Sequence, residues 1–309
     1  MSTLLRFPNF EDITVSTKTY TAITNIEIDI EKLFQCIQIT PYIVQQKKRG
    51  RKKKGTVCDL NQEVEYGSIV TVKCEGKIKG VELKPKSPKA REKNSYFRNS
   101  ITIVMILDKP INFKVCRNGT HQMTGCKNWE HAQMCIKKIW MTIKDYPDIY
   151  KFTRNIGGFE AMIIPSMRNI DFDLGFKVDR EKLSRHMNTL DNVYCLMETS
   201  FGYTGVNIKI PLDETRNTMK TLAMHFVDET WIIEWKTYSD YLNLLNEKSK
   251  IAKNNEMRYN TFLVFHSGRV IFSGLTFHLM KNTYTRFTNI IRDSFDVIEE
   301  RLTNIDKIK

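Results

Sequence analysis

The sequence predicts an α+β fold in which an antiparallel sheet motif occurs twice and helices pack on one side of it. Three observations lead there. The first is an internal repeat: "VDREKL" (178–183) follows "IDIEKL" (28–33) at an offset of 150, and "FLVFHSGRVIFSGLT" (262–276) follows "FKVCRNGTHQMTGCK" (113–127) at 149. The second is strand-period alternation broken by turn residues, with Gly268 answering Gly119 and Gly274 answering Gly125. The third is a long amphipathic stretch closing each copy. Several strands and one one-faced helix per copy make a sheet layer under a helix layer, and the second sheet face is left to a partner.

In the first copy "TKTYTAITNIEI" (17–28) reads as a β-branched strand, and Asp29 as the acidic cap of a short helix beginning near Glu31. "YGSIVTVKC" (66–74) is the next strand, "ITIVMILDK" (101–109) an additional one, and 113–127 the hairpin. Asn128 caps "NWEHAQMCIKKIWMTIKD", which puts Ala132, Cys135, Ile136, Ile139, Trp140 and Ile143 on one stripe. In the second copy "MIIPSMRNIDFDLGFKV" (162–178) is the β-branched stretch, Asp179 caps a helix near Glu181, and "YTGVNIKIP" (203–211) is the strand before the hairpin. The closing helix starts near His278 and runs through "YTRFTNIIRDSFDVIEERL".

The two tyrosine strands stand 137 apart, because "KKRGRKKK" (47–54) is inserted in the first copy alone. The expected organisation is an N-terminal extension 1–15, a first repeat 16–150 with inserts near 45–57 and 75–110, and a second repeat 151–309 with an insert near 212–259. The first copy's later insert contains "KPKSPKAREK"; the second copy's contains "TWIIEW" and the helical "YSDYLNLLNEKSKIAKNNE". Growth at matching places marks an exposed loop tip.

The formal net charge is +13, and Lys47, Lys48, Arg49, Arg51, Lys52, Lys53 and Lys54 supply seven of it. That balance favours polyphosphate partners; the tract itself reads equally as phosphate contact or as a targeting loop. Seven cysteines without a CxxC pair, and six histidines without HxxxH spacing, imply neither a disulfide framework nor a metal site, so no cofactor is expected. No apolar run is long enough for a bilayer and the N-terminus lacks a signal pattern, so a cytosolic or nuclear protein is expected.

"LVFHSGRVIFSG" and, more loosely, "KVCRNGTHQMTG" resemble the paired hairpin signature of the TATA-box-binding protein family. The resemblance covers most of 16–305 apart from the inserts. It implies a pseudo-two-fold saddle of two repeats, a curved antiparallel sheet with helices on the convex face. It also implies a transcription initiation factor without enzyme activity that binds and bends A/T-rich double-stranded promoter DNA through the minor groove. The partners implied are a transcription-factor-IIB-like (TFIIB-like) factor and RNA polymerase, with no membrane and no small-molecule substrate. Composition and divergence look like those of a large-DNA-virus or protist version, which places it in the nucleus, at a cytoplasmic site of viral transcription or in the virion.

Carried over residue by residue, Phe265 and Tyr203 are the second-half wedges, Leu263, Ile271 and Ser273 face the groove, and Asn169 is the central base-contacting amide. In the first half the matching positions are Tyr66, Cys116, Lys114, Gln122, Thr124 and Thr19, of which Cys116 is too small to wedge. The resemblance therefore implies stronger kinking at the second half. Phe265 and Tyr203 could instead be strand aromatics facing the helices; alternation sets Leu263, Phe265, Ile271 and Ser273 on one face. A scaffold that binds proteins and not DNA is the second reading. An enzyme is the third, and Asp213, Glu214, Asp228 and Glu229 make no metal-binding carboxylate set for it.

Overall fold

The computed structural model describes residues 5–43, 64–83, 98–154, 157–197, 205–212 and 215–301. The basic tract 47–54, Tyr203, Asp213, Glu214 and "KPKSPKAREK" fall outside the described residues. Strands β1 (Val15–Thr24) and β2 (Ile26–Ile28) lead into α1 (Ile30–Cys36). Then come β3 (Ser68–Cys74), β4 (Lys77–Gly80), β5 (Ser100–Ile106), β6 (Pro110–Cys116), β7 (His121–Cys126) and α2 (Trp129–Ile143). β8 (Tyr150–Phe152), β9 (Phe159–Asp173), α3 (Arg180–Met187), β10 (Tyr194–Met197) and β11 (Gly205–Pro211) follow. The chain closes with β12 (Lys220–Val227), β13 (Thr230–Thr237), α4 (Tyr238–Asn243), α5 (Glu247–Asn254), β14 (Tyr259–Phe265), β15 (Arg269–Gly274), α6 (Phe277–Asp293) and α7 (Phe295–Ile298).

Two compact units result. The first comprises Thr19–Ile164 and Leu222–Trp235. Its strands run in the order β1-β7-β6-β5-β3-β4, antiparallel from β7 onward. The stripe expected on α2 is buried in full, from Ala132 to Ile143, against Ile103, Phe113 and Met123. β12 pairs with Phe159–Ile163 of β9, so a hairpin from the second half of the sequence belongs to this unit. Trp140 holds it, stacking on Phe159 at 4.4 Å and meeting Phe226 edge-on at 6.0 Å. Asp228 and Glu229, at the tip, both have positive φ, as a tight hairpin turn requires. β13 pairs with β12 alone among the described residues, and Ile232, Ile233 and Trp235 are exposed on it.

The second unit comprises Met1–Lys18, Pro165–Thr221 and Lys236–Lys309. Its antiparallel sheet runs β10-β11-β14-β15-β9. Met280, Tyr284, Phe287 and Ile291 of α6 close one face of it over Val206, Ile208, Phe262, Val264, Val270 and Phe272. Phe262 lies between Phe272 and Phe287 in near-parallel stacks, with centroids 4.0 and 3.9 Å away. α6 stops at Asp293, short of the expected run, where the Ser294 hydroxyl donates back to the Ile290 carbonyl at 2.7 Å. The helical segment expected in the insert is two helices, because Thr237 and Asn246 each start a new one with their own cap.

The repeat recurs at the level of single backbone bonds. Ile28 N–H donates to the Arg117 carbonyl and Val178 N–H to that of His266; Asp29 N–H donates to Ile149 and Asp179 N–H to Ile298. Asp29 and Asp179 both cap their helices with a side-chain oxygen, as expected. Each hairpin turn is closed by the same bond, Gly119 N–H to the Cys116 carbonyl and Gly268 N–H to that of Phe265, both 3.0 Å. Glycine is required at both turns: φ is +73° and +88°, and a Cβ would lie 2.0 Å from the Ile26 carbonyl oxygen or 2.2 Å from that of Phe176.

Two expectations follow for stability. Phe272→Ala should cost about 3–5 kcal/mol in denaturant unfolding, since it removes one fully buried end of the aromatic stack. His121 is wholly buried; Nδ1 lies 2.9 Å from the Gly119 carbonyl and burial holds its pKa down to about 4. Because the folded value lies below the unfolded one, stability is full above about pH 6.5. It falls as pH drops from there toward 4, by up to about 3 kcal/mol. The loss should be absent in His121→Gln, read as the unfolding midpoint against pH.

Candidate nucleic-acid interface

The face opposite α6 is where the second unit offers chemistry. Along β14, Asn260, Phe262 and Val264 are buried while Thr261, Leu263 and Phe265 are half-exposed; along β15, Val270 and Phe272 are buried and Ile271 and Ser273 are half-exposed. The strand period alone dictates this division. Cross-strand register then assembles the outward residues into rows. Asn207 stands opposite Leu263, Leu263 opposite Ile271, and Ile271 opposite Asp171. In the adjacent row Lys209 faces Thr261, Thr261 faces Ser273, and Ser273 faces Asn169. Phe265 stands opposite Gly205, where a Cβ would come within 2.6 Å of Leu263 Cδ1; glycine there lets Leu263 lie flat.

The result is an aliphatic strip, Leu263 and Ile271, set among hydroxyls and amides. Two of its polar atoms are orphans: Asn169 Oδ1 and Asn207 Oδ1 are shielded from solvent and accept no hydrogen bond. An unsatisfied acceptor costs on the order of 1–3 kcal/mol, so packing does not explain these amides. Lys209 and Arg269 are exposed cations on the face, and Asp171 and Asp173 exposed carboxylates. Asp173 Oδ1 accepts from Gly175 N–H at 2.8 Å.

In the first unit the matching strip is narrower and more polar. Asn112, Lys114 and Cys116 on β6 stand opposite or beside Gln122 and Thr124 on β7, with Lys114 paired to Gln122 and Asn112 to Thr124. The Thr124 hydroxyl donates to the Asn112 carbonyl at 3.0 Å and keeps its lone pairs outward. Burial pushes the Cys116 thiol up, against the opposing pull of Lys114, so it stays a small neutral group. On β3 and β5 the same side is largely filled: Thr71, Ser100 and Val104 are buried.

Leu263, Phe265, Ile271, Ser273 and Asn169 thus share one face, and Gln122 and Thr124 share another. One expected position differs. Thr19 is 4% exposed, so the structure holds it inside and not on an open face. Tyr66 is 54% exposed, and its phenol is raised by desolvation first and then by Asp108, Cys135 and Glu130. Asn207 and Asp171 were not anticipated, although the alternation in "GVNIKIP" and "NIDFD" places both opposite the core residues.

Fold and face together give an antiparallel sheet with a helix over one face and a strip of half-exposed apolar and polar residues on the other. No family model matches the chain. "Uncharacterized protein 335L" of Invertebrate iridescent virus 6 is 26% identical over 301 residues, 92% of this chain and 85% of that protein. A protein named "TATA-box-binding protein-like" from Acanthamoeba polyphaga mimivirus is 33% identical over 158 residues, 42% of each chain. Among solved structures, Methanococcus jannaschii TBP aligns with a TM-score of 0.43 at 14% identity, over 93% of this chain and 99% of that one. The likeness to TATA-box-binding proteins first carried by the two hairpins is therefore met again in a viral relative.

The orphaned amides make a stability test of the face. Asn207→Val removes an unpaired acceptor from a strand that favours β-branched residues, and should raise the unfolding free energy by about 1 kcal/mol. A loss of similar size would instead assign Asn207 a structural role.

Proposed function

We propose that this protein is a TATA-box-binding-protein-like transcription initiation factor. It binds A/T-rich promoter DNA through the minor groove and recruits a TFIIB-like factor and RNA polymerase. The observation that carries the reading is the row of Leu263, Phe265, Ile271 and Ser273 on the sheet face turned away from α6. A flat aliphatic strip suits the floor of a minor groove and excludes the protruding guanine amino group over most of its length. Small hydroxyls and amides beside it can meet the acceptors of A·T pairs. The +13 charge supplies attraction to the phosphates, and the name of the mimivirus relative points the same way. In this reading Phe265 is the wedge that partly unstacks a base step, while Cys116, at the matching first-half position, is too small to do so.

A second reading, a protein-binding scaffold without DNA affinity, is favoured by Asp171 and Asp173 on the face and by Lys114, Cys116 and Gln122 in place of an aliphatic strip. Gel shifts with A/T-rich and G/C-rich duplexes over a salt series separate the two. Binding that prefers A/T and weakens steeply with salt supports the first; no binding supports the second. Phe265→Ala should weaken A/T-duplex binding about ten- to a hundred-fold and Cys116→Ala hardly at all. Deleting residues 47–54 should lower affinity equally for all sequences and flatten the salt slope if that tract touches phosphate.

A further inference from the structure

Asp171 does not fit a face made only for A·T pairs. It sits on β9 between Asn169 and Asp173 in the outward set, directly opposite Ile271, and its side chain is exposed. Among the described residues its carboxylate has no hydrogen bond or ion pair that would explain it. In the minor groove an A·T pair presents acceptors only, so a carboxylate laid against it meets acceptor with acceptor. The groove is also most negative where A·T runs narrow it, which makes the mismatch worse. One group in that groove donates outward: the exocyclic amino group of guanine.

We propose that Asp171, helped by Asn169 two residues away, accepts a hydrogen bond from a guanine amino group, so that the preferred site is A/T-rich with a G·C pair at one defined position. The inference rests on the DNA-binding reading above and gives that site its sequence signature. The neighbouring atoms suit the role. Ser273 stands opposite Asn169 and adds a short hydroxyl. Asn169 Oδ1 lacks a partner, and rotation about the soft terminal torsion of an amide turns either end toward a ligand. Leu263 and Ile271, in the same row as Asp171, keep the adjacent positions apolar, so the guanine is selected locally and excluded elsewhere. Asp171 thereby changes from a penalty for binding DNA into a base-specific contact.

The test uses the full chain and a set of short A/T duplexes in which one G·C pair is stepped through every position. In a matched set inosine replaces guanine, which deletes the amino group and nothing else. Fluorescence anisotropy should find a position where guanine is bound about ten-fold or more tighter than inosine, the scale of a hydrogen bond to a charged acceptor. Asp171→Val should abolish that difference and tighten binding to the all-A/T duplex; Asp171→Asn, which keeps one acceptor, should retain part of it. Valine suits an exposed strand position, so the variant should remain folded, as circular dichroism would register. If the wild type binds A/T duplexes but shows no guanine–inosine difference at any position, or if Asp171→Val keeps the difference, the proposal is overturned. If no duplex is bound, the DNA-binding reading itself falls.

Discussion

A pleated sheet has two faces, and one long helix can cover only one of them. In the second unit α6 takes the face bearing Phe262, Val264, Val270 and Phe272, and the Phe262–Phe272–Phe287 stack closes it. Covering one side of the sheet contributes most of what burial can supply, at roughly 25 cal/mol per Å² of apolar surface removed from water. The opposite face is then relieved of packing duty. Leu263, Ile271, Ser273, Asn169 and Asp171 answer to whatever approaches from outside, and the unpaired oxygens of Asn169 and Asn207 are tolerable only against that large surplus.

Much of this was legible in the residues themselves, because it is local. Asp29 and Asp179 announce helix starts through short-range capping, and the α2 stripe is a matter of period. Gly119 and Gly268 sit where only a residue without a Cβ can turn. Alternation was enough to set Leu263, Phe265, Ile271 and Ser273 on one face. What could not be read depends on partners remote in sequence. The β12–β13 hairpin joins the first unit through pairing with β9 and through Trp140, about eighty positions away. Thr19 is buried, which the period of its own strand does not reveal. Asp171 and Asn207 carried a signal in their alternation, but neither is a position that the resemblance carries over.

The two strips share a skeleton and differ in chemistry. Leu263, Phe265 and Ile271 offer flat apolar area; Lys114, Cys116 and Gln122, at corresponding places, offer a cation, a small thiol and an amide. An apolar strip works by excluding water and protruding donors, whereas a polar one needs hydrogen-bond partners to match it. The two strips therefore differ in the kind of surface each complements.

The recurring backbone bonds suggest how that divergence became possible. Each copy ties its own turn, its own capped helix and its own strand end with atoms drawn from within itself: Ile28 to Arg117 in one, Val178 to His266 in the other. These particular bonds lie within one copy each, so a change on one strip leaves the turn and helix start of the other copy in place. Duplicating a piece that closes its own turn leaves the outward residues of each copy free to diverge while the hinge of the other stays tied.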